Sequence, residues 1–334
     1  MRMLVLGGTQ FVGRHFVAEA LARGHQPTLF HRGRTRTDLF PGVERLLGDR
    51  GGDLAALRGG CWDAVIDLSG YVPSQVEQSA TLLAPVIGRY LFVSSLAVYL
   101  DPTQAVLDEA APVQEPEAGT YGAQKVACER AVEAALPGRA LVVRAGLCLG
   151  PYDYTARTVY WLKRLARGGE VLAPGRPGRA LQLIDPRDLA AWMIRLLEAG
   201  ATGLFNATGP EQPLTMEGFL DACGAVVGGG RARLVWVEDR FLLDRAVGIY
   251  EELPLWVPEV WRGFHGVELA RARRAGLAFR PLAETLGDAW EAERREPLER
   301  DADGLKLERE AELLREWRAH RPGDAAPAAN GDRG

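Results

Sequence analysis

Met3-Leu4-Val5-Leu6-Gly7-Gly8-Thr9-Gln10-Phe11-Val12-Gly13-Arg14 carries an apolar run straight into two glycines and then into a helical pattern. A strand that turns sharply into a helix needs freedom at the bend, which Gly7 supplies, and close packing behind it, which Gly13 permits. The amides left open at the helix N-terminus form an anion site suited to a pyrophosphate. On this reading Gly7, Thr9, Gln10, Phe11, Val12 and Gly13 contact a dinucleotide. Gln10 stands where a middle glycine is usual, so its side chain has to point away from the phosphates.

Outward from this turn, short apolar runs alternate with helical patterns. Strands are predicted at Arg2–Leu6, Gln26–Phe30, Val43–Leu47, Ala64–Leu68, Tyr90–Ser94 and Ala140–Arg144, with helices such as Val12–Arg23 and Val76–Val86 between them. Strands apolar on consecutive residues fit a parallel sheet covered on both faces. The repeated βα order gives an α/β fold, a doubly wound parallel sheet with ligands at the carboxyl ends of its strands.

After Gly150-Pro151 the pattern loosens into an aromatic stretch (Tyr152, Tyr154, Tyr160, Trp161) and a loop over Pro174–Arg179. The wound pattern returns with a strand-like Ala180–Ile184, a helical Asp188–Glu198 and a strand-like Gly203–Ala207. We therefore expect a dinucleotide-binding domain over 1–150, with 180–208 returning to it. A smaller, interleaved C-terminal substrate lobe takes 151–179 and 209–298. Apolar residues at 307, 311, 314 and 317 predict an amphipathic helix within 299–320, and the Pro-, Gly-, Ala- and Asp-rich 321–334 reads as a disordered tail.

At 334 residues the chain is long enough for one large core or two modest ones. A formal net charge of −4 offers no general basic field, so neither nucleic acid nor an anionic membrane is expected as a partner. No apolar run reaches the ~18–20 residues of a membrane span, and the run after Met1 ends too early for a signal peptide, which predicts a cytoplasmic protein. Cys61, Cys128, Cys148 and Cys223 lack metal-ligand spacing, so no metal is expected and the thiols read as reduced and mostly buried.

The end of the second strand, Thr28-Leu29-Phe30-His31-Arg32-Gly33-Arg34-Thr35-Arg36, decides the cofactor. A carboxylate there would bind the ribose 2′-hydroxyl of NAD, whereas arginine neutralises the 2′-phosphate of NADP. With no acid and three arginines, NADP is favoured over NAD, through Arg32 and Arg34 beside His31. Asp49, after the third strand, either accepts from the adenine amino group or caps the next segment.

Tyr121 and Lys125 form a Tyr-x-x-x-Lys pair in a chain with only three lysines among its 40 basic residues. Spacing i, i+4 puts both on one helix face. A tyrosine is a poor acid/base at neutral pH because its pKa is near 10, but an adjacent ammonium stabilises the phenolate. Ser95 lies twenty-six residues upstream, placed to hydrogen-bond a substrate oxygen. Together they point to carbonyl–alcohol interconversion by hydride transfer, with Tyr121 as acid/base and Lys125 also reaching the cofactor.

With these motifs the chain resembles an extended short-chain dehydrogenase/reductase of the NAD-dependent epimerase/dehydratase superfamily over about residues 1–290. The resemblance implies a Rossmann-type fold and maps the family's Ser-x-x-x-Tyr run onto Ser95 and Tyr99. Arg144-Ala145-Gly146-Leu147-Cys148-Leu149-Gly150-Pro151 and Ile184-Asp185-Pro186-Arg187-Asp188-Leu189-Ala190 resemble two further family segments. Leu96-Ala97 stand where dehydratases of the family have Asp-Glu, so dehydration is not implied. Asp67-Leu68-Ser69-Gly70-Tyr71 replaces a more usual His-Leu-Ala-Ala, placing Ser69 and Gly70 on the cofactor-facing wall. The opening Gly-Gly-Thr-x-Phe-x-Gly-Arg resembles a branch with chloroplast stem-loop-binding proteins and bacterial reductase-like members.

Three functions are weighed in order: an NADP-preferring reductase of a small carbonyl or alcohol, a sugar-nucleotide epimerase with permanently bound NAD, and a non-catalytic nucleotide- or RNA-binding regulator. Substrate contacts are expected at Tyr152 and at Arg179, a phosphate or carboxylate clamp or else a solvated loop charge. Tyr154, Trp256 and Trp261 are further candidates, with core packing the competing reading for the aromatics. Asp185 and Asp188 read as helix caps. A homodimer is open to the chain, as in the resembled family.

Overall fold

A computed structural model describes residues 1–104, 106–228, 230–298 and 304–320; the expected tail at 321–334 lies outside them. Seven strands form one parallel sheet: β1 (Arg2–Leu6), β2 (Gln26–His31), β3 (Glu44–Leu47), β4 (Trp62–Asp67), β5 (Ile87–Ser95), β6 (Ala140–Ala145) and, after two short excursions, β9 (Gly203–Ala207). Their order is β3-β2-β1-β4-β5-β6-β9, all parallel. The expected fold class is borne out. The order reverses beside β1, which opens a crevice at the carboxyl ends of β1 and β4.

Strand side chains alternate between two buried layers. In β6, Leu141 and Val143 enter the core shared with α1 (Phe11–Ala22) and α5 (Pro186–Glu198). Ala140 and Val142 enter the core shared with α2 (Pro73–Leu83) and α3 (Tyr121–Ala135). Both faces are covered, so the central strands are buried over consecutive residues, whereas the edge strand β3 is partly exposed.

A separate core holds most of the second lobe. It gathers α4 (Arg157–Arg167), β7 (Gly169–Pro174), α6 (Met216–Val227), β11 (Ala232–Val237), α7 (Asp239–Asp244), α9 (Leu282–Arg295) and α10 (Leu307–His320). β7 and β11 pair in parallel, from Gly169 opposite Ala232 to Pro174 opposite Val237. Trp161 and Trp256 are fully buried there, with the Trp161 indole donating to Pro254 O at 2.9 Å. Helix α8 (Ala270–Arg274) instead packs beside β9.

Two expectations need correction, and three elements had not been foreseen. β8 (Ala180–Leu181) is two residues long and pairs antiparallel with β10 (Leu214–Thr215) rather than joining the main sheet, so the chain re-enters that sheet through α5 and β9. Helix α4 and strands β7 and β11 carry no signal that the sequence reading used. In α10 the buried residues are Glu310, Leu313, Leu314 and Trp317, while Leu307 is exposed. A polar residue sits on the buried face because Glu310 pairs with Arg164 Nε at 2.6 Å and accepts from Leu172 N at 2.9 Å, which satisfies its charge in place.

Candidate functional site

A cavity of about 980 Å³ runs along the carboxyl ends of the strands and into the second lobe. Its first wall is the glycine turn. A Cβ on Gly13 would stand 2.8 Å from Gly8 Cα, so only glycine lets α1 close on the turn. Gln10, the helix N-cap, makes no side-chain cap, and the first turn holds no acid; the terminal amides are left for a ligand. Gly7, Thr9, Gln10, Phe11, Val12 and Gly13 all line the cavity.

The loop after β2 brings His31, exposed Arg32 and exposed Arg34 to the same cavity. Gly33 N donates to His31 Nδ1 at 2.9 Å, which leaves Nε2 as the ring N–H. That atom is buried without a partner, and burial, with Arg45 nearby, holds the ring below its ordinary pKa and so neutral. Asp49 also lines the cavity, but its Oδ1 accepts from Gly51 N at 2.9 Å, a turn-capping role.

Beneath Asp49 lies a buried network that sequence reading missed. Arg50 reaches Asp67 with both terminal nitrogens at 2.6 and 2.5 Å, and also Ser79 Oγ at 2.8 Å. Tyr90 donates to Asp67 Oδ2 at 2.8 Å. Burial pushes the Asp67 carboxyl up, but the Arg50 guanidinium and the Tyr90 hydroxyl outweigh it and leave it below the ordinary carboxylate value. Asp67 Oδ1 also accepts from Ser69 N at 3.1 Å, which ties down the Ser69-Gly70-Tyr71 turn.

Ser95, Tyr121 and Lys125 meet on the wall between β5 and α3. Thr120 caps α3 through Ala123 N at 3.0 Å, so Tyr121 is its first residue and Lys125 follows one turn later. Gly122 sits against the Ala97 carbonyl, where a side chain would collide. This close approach seats the helix on the Ser95–Ala97 turn. Burial pushes the Tyr121 phenol up and a hydrogen bond with Ser95 draws it back. Lys125 is 3 % exposed and donates to Gly70 O at 2.8 Å and Val93 O at 2.7 Å. Burial lowers its pKa to about 8, against the pull of Asp67. Ser95 touches the phenol, and two backbone carbonyls hold the Lys125 ammonium on the same wall.

Of the remaining predicted residues, Ser69 lines the cavity and hydrogen-bonds Leu6 O at 3.1 Å, while Gly70 enters through the carbonyl that holds Lys125. Tyr152 is elsewhere: the Arg14 guanidinium lies 3.4 Å from its ring centroid, and it packs beside His15. Arg179 is buried and bound to Asp239 and to Val257 O, on a separate pocket of about 260 Å³. Neither side chain lines the large cavity: Arg179 is paired inside the fold, and the Tyr152 ring packs against Arg14 and His15. Trp256, 1 % exposed, is core, as the competing reading had it. Tyr99 is also structural, donating to Asn206 Oδ1 at 2.6 Å. Asp185 caps α5 by accepting from Arg187 N at 2.8 Å, while Asp188 accepts from Arg280. Instead, Tyr71, Cys148, Tyr154, Arg157, Tyr250 and Phe264 line the cavity, assembled from segments too far apart to form a motif. Burial pushes the Cys148 thiol up to about 12, so it is no nucleophile.

A doubly wound sheet with a glycine-turn cavity at its switch point defines a nucleotide-binding α/β protein. The sequence profile of the NAD dependent epimerase/dehydratase family matches residues 3–207, and the chain belongs to that family. It is 26% identical over 248 residues to the chloroplast stem-loop binding protein of 41 kDa b from Arabidopsis thaliana, covering 68% of this chain and 63% of that protein. The chain thus spans less than two thirds of that relative's length. Among solved structures, the enzyme WbmH of Bordetella bronchiseptica, in complex with NAD+, superposes with a TM-score of 0.68 at 16% identity, over 89% of this chain and 99% of that one. Human epimerase family protein SDR39U1 with NADPH gives 0.60 at 24% identity, over 87% and 99%. Among the described residues no helix is long and apolar enough to cross a membrane, and no cluster of metal ligands occurs.

Proposed function

We propose that the chain is an NADP-preferring reductase or dehydrogenase of a carbonyl or alcohol substrate. What carries the reading is the convergence of Ser95, Tyr121 and Lys125 on one cavity whose other end is basic and free of carboxylates at residues 30–35. The residues present fit a nicotinamide dinucleotide: uncapped amides open at α1, and the unpartnered His31 Nε2 and Ser94 Oγ lie on the cavity wall. The glycine turn would hold the pyrophosphate, and Arg32 and Arg34 the 2′-phosphate. When bound, the nicotinamide exchanges a hydride with the substrate carbon.

Tyr121 gives its proton to the carbonyl oxygen in reduction and takes it back in oxidation. Ser95, in contact with that phenol, donates a hydrogen bond to the same oxygen as charge builds there. Lys125, with two of its protons committed to Gly70 O and Val93 O, has a third for the cavity. Its charge favours ionisation of the phenol. A cytoplasmic location and a homodimer belong to this reading.

The test is to release and identify any nucleotide carried by the purified protein, then to titrate the emptied protein with NADPH and NADH. Empty protein that prefers NADPH, with the preference lost in the Arg32→Ala/Arg34→Ala double variant, is the expected result. Tightly retained NAD would overturn it in favour of the epimerase reading, which the fold likeness to UDP-glucose 4-epimerase supports.

A further inference from the structure

Beyond Tyr121 the cavity is walled by the second lobe. Tyr154 lies just before α4 and Arg157 is its first residue, while Tyr250 comes from a loop and Phe264 from a short 3-10 helix about a hundred residues later. Tyr154 stands edge-on to Phe11, with ring centroids 6.3 Å apart, and Tyr250 edge-on to Phe264 at 6.4 Å. The walls are thus aromatic, and one cation stands among them. Among the described residues the Arg157 guanidinium makes no hydrogen bond and no ion pair, yet Cys148, Asp153 and Tyr250 all feel its field.

The nearby acid, Asp153, makes no ion pair with it. Asp153 is 2 % exposed, with Oδ1 taken by Thr155 N at 2.9 Å and Thr155 Oγ1 at 2.6 Å, and burial pushes its carboxyl up. Elsewhere in the cavity Arg50 is matched by Asp67, and outside it Arg179 is matched by Asp239. A half-buried guanidinium without an ion pair, on a cavity wall that also carries Tyr154, Tyr250 and Phe264, has its donors open to an anionic ligand, which would take charge-assisted hydrogen bonds from it.

We propose that Arg157 is the anion-recognising residue of the substrate site: the substrate is a carbonyl compound bearing a carboxylate or phosphate held by Arg157, with its apolar part between Tyr154, Tyr250 and Phe264. The carbonyl half of this statement rests on the reductase reading; the anion half does not. The two halves are tested apart.

First, the full-length protein saturated with NADP+ is labelled with phenylglyoxal and Arg157 modification is followed by peptide mass mapping, with phenylpyruvate, phenyl phosphate or benzamide as probes. The expected result is that an anionic probe slows labelling at Arg157 by about fivefold or more while benzamide does not, and the better protector tells carboxylate from phosphate. Equal protection by benzamide, or none by either anion, overturns the anion site.

Second, phenylpyruvate and its amide are compared as substrates of the wild type, Arg157→Gln and Arg157→Lys. Wild type should show a KM about tenfold lower for the acid, Arg157→Gln should erase that advantage with NADPH affinity retained, and Arg157→Lys should restore part of it. An acid-over-amide preference untouched by Arg157→Gln overturns the proposal. If labelling is protected but neither compound is reduced, the anion site stands and the carbonyl-reductase reading falls. If both are reduced alike and labelling is unprotected, the reverse holds.

Discussion

The two ends of the cavity are built differently. At the sheet end, Arg50 from the loop after β3 is locked to β4, α2 and β5 through Asp67, Ser79 and Tyr90, and α1 and α3 press glycine against backbone. At the lobe end the walls come from short, separate segments, and Tyr250 there lies in the left-handed region at φ 62°, as Phe11 does at the sheet end at φ 37°. Such backbone costs roughly 1–3 kcal/mol per residue and persists only where the surroundings enforce it. On the proposed reading, the contrast separates a half that fixes chemistry from a half that selects what is acted on.

The largest effect that would test this division is at the seam. Tyr121→Phe should lower turnover by about 10²–10⁴-fold for every substrate the wild type accepts, with NADPH affinity unchanged by fluorescence titration. Loss restricted to some substrates would move Tyr121 to the selecting half and break the comparison.

Next is the lock of the sheet end. Asp67→Asn leaves the Arg50 charge buried without its partner and should cost about 3–5 kcal/mol in denaturant unfolding. The Asp67 carboxyl is held below its ordinary pKa, so its contribution is present above the unfolded value and disappears as pH falls through the folded one. Wild-type stability should therefore decline on acidification below about pH 4 more steeply than that of Asp67→Asn. Equal slopes would show that this pair does not lock the sheet end.

The smallest expected effect sharpens the seam itself. Lys125 has a pKa of about 8 against an ordinary 10.5. The folded chain releases this proton while the unfolded chain still holds it, so the contribution of Lys125 to stability grows as pH rises from about 8 to 10.5. Over the same rise the charge facing the cavity is lost, and NADPH should bind several-fold more weakly at pH 9 than at pH 7. A flat profile would mean that the ammonium plays no part in holding the cofactor.

Legibility followed the same division. Gly7 to Gly13, the main-sheet strands, though not their exact ends, and the Tyr121/Lys125 pair were readable because a strand, its turn and the next helix are contiguous, and each imposes a local steric or periodic demand. Arg179 and Arg157 were indistinguishable as sequence, both arginines in loosely patterned stretches. Asp239, sixty residues from Arg179, pairs with one, and among the described residues no acid forms an ion pair with the other. The buried face of α10 was misplaced for the same reason, since Glu310 is apolar in effect only where Arg164 meets it.

The sequence by itself determined the doubly wound sheet, the glycine turn, the basic loop after β2 and the family, because hydrophobic period and backbone freedom are properties of neighbouring residues. Only the tertiary structure decided which charges are spent and which are free. Whether a buried charge is paired depends on groups that folding brings together from distant parts of the chain.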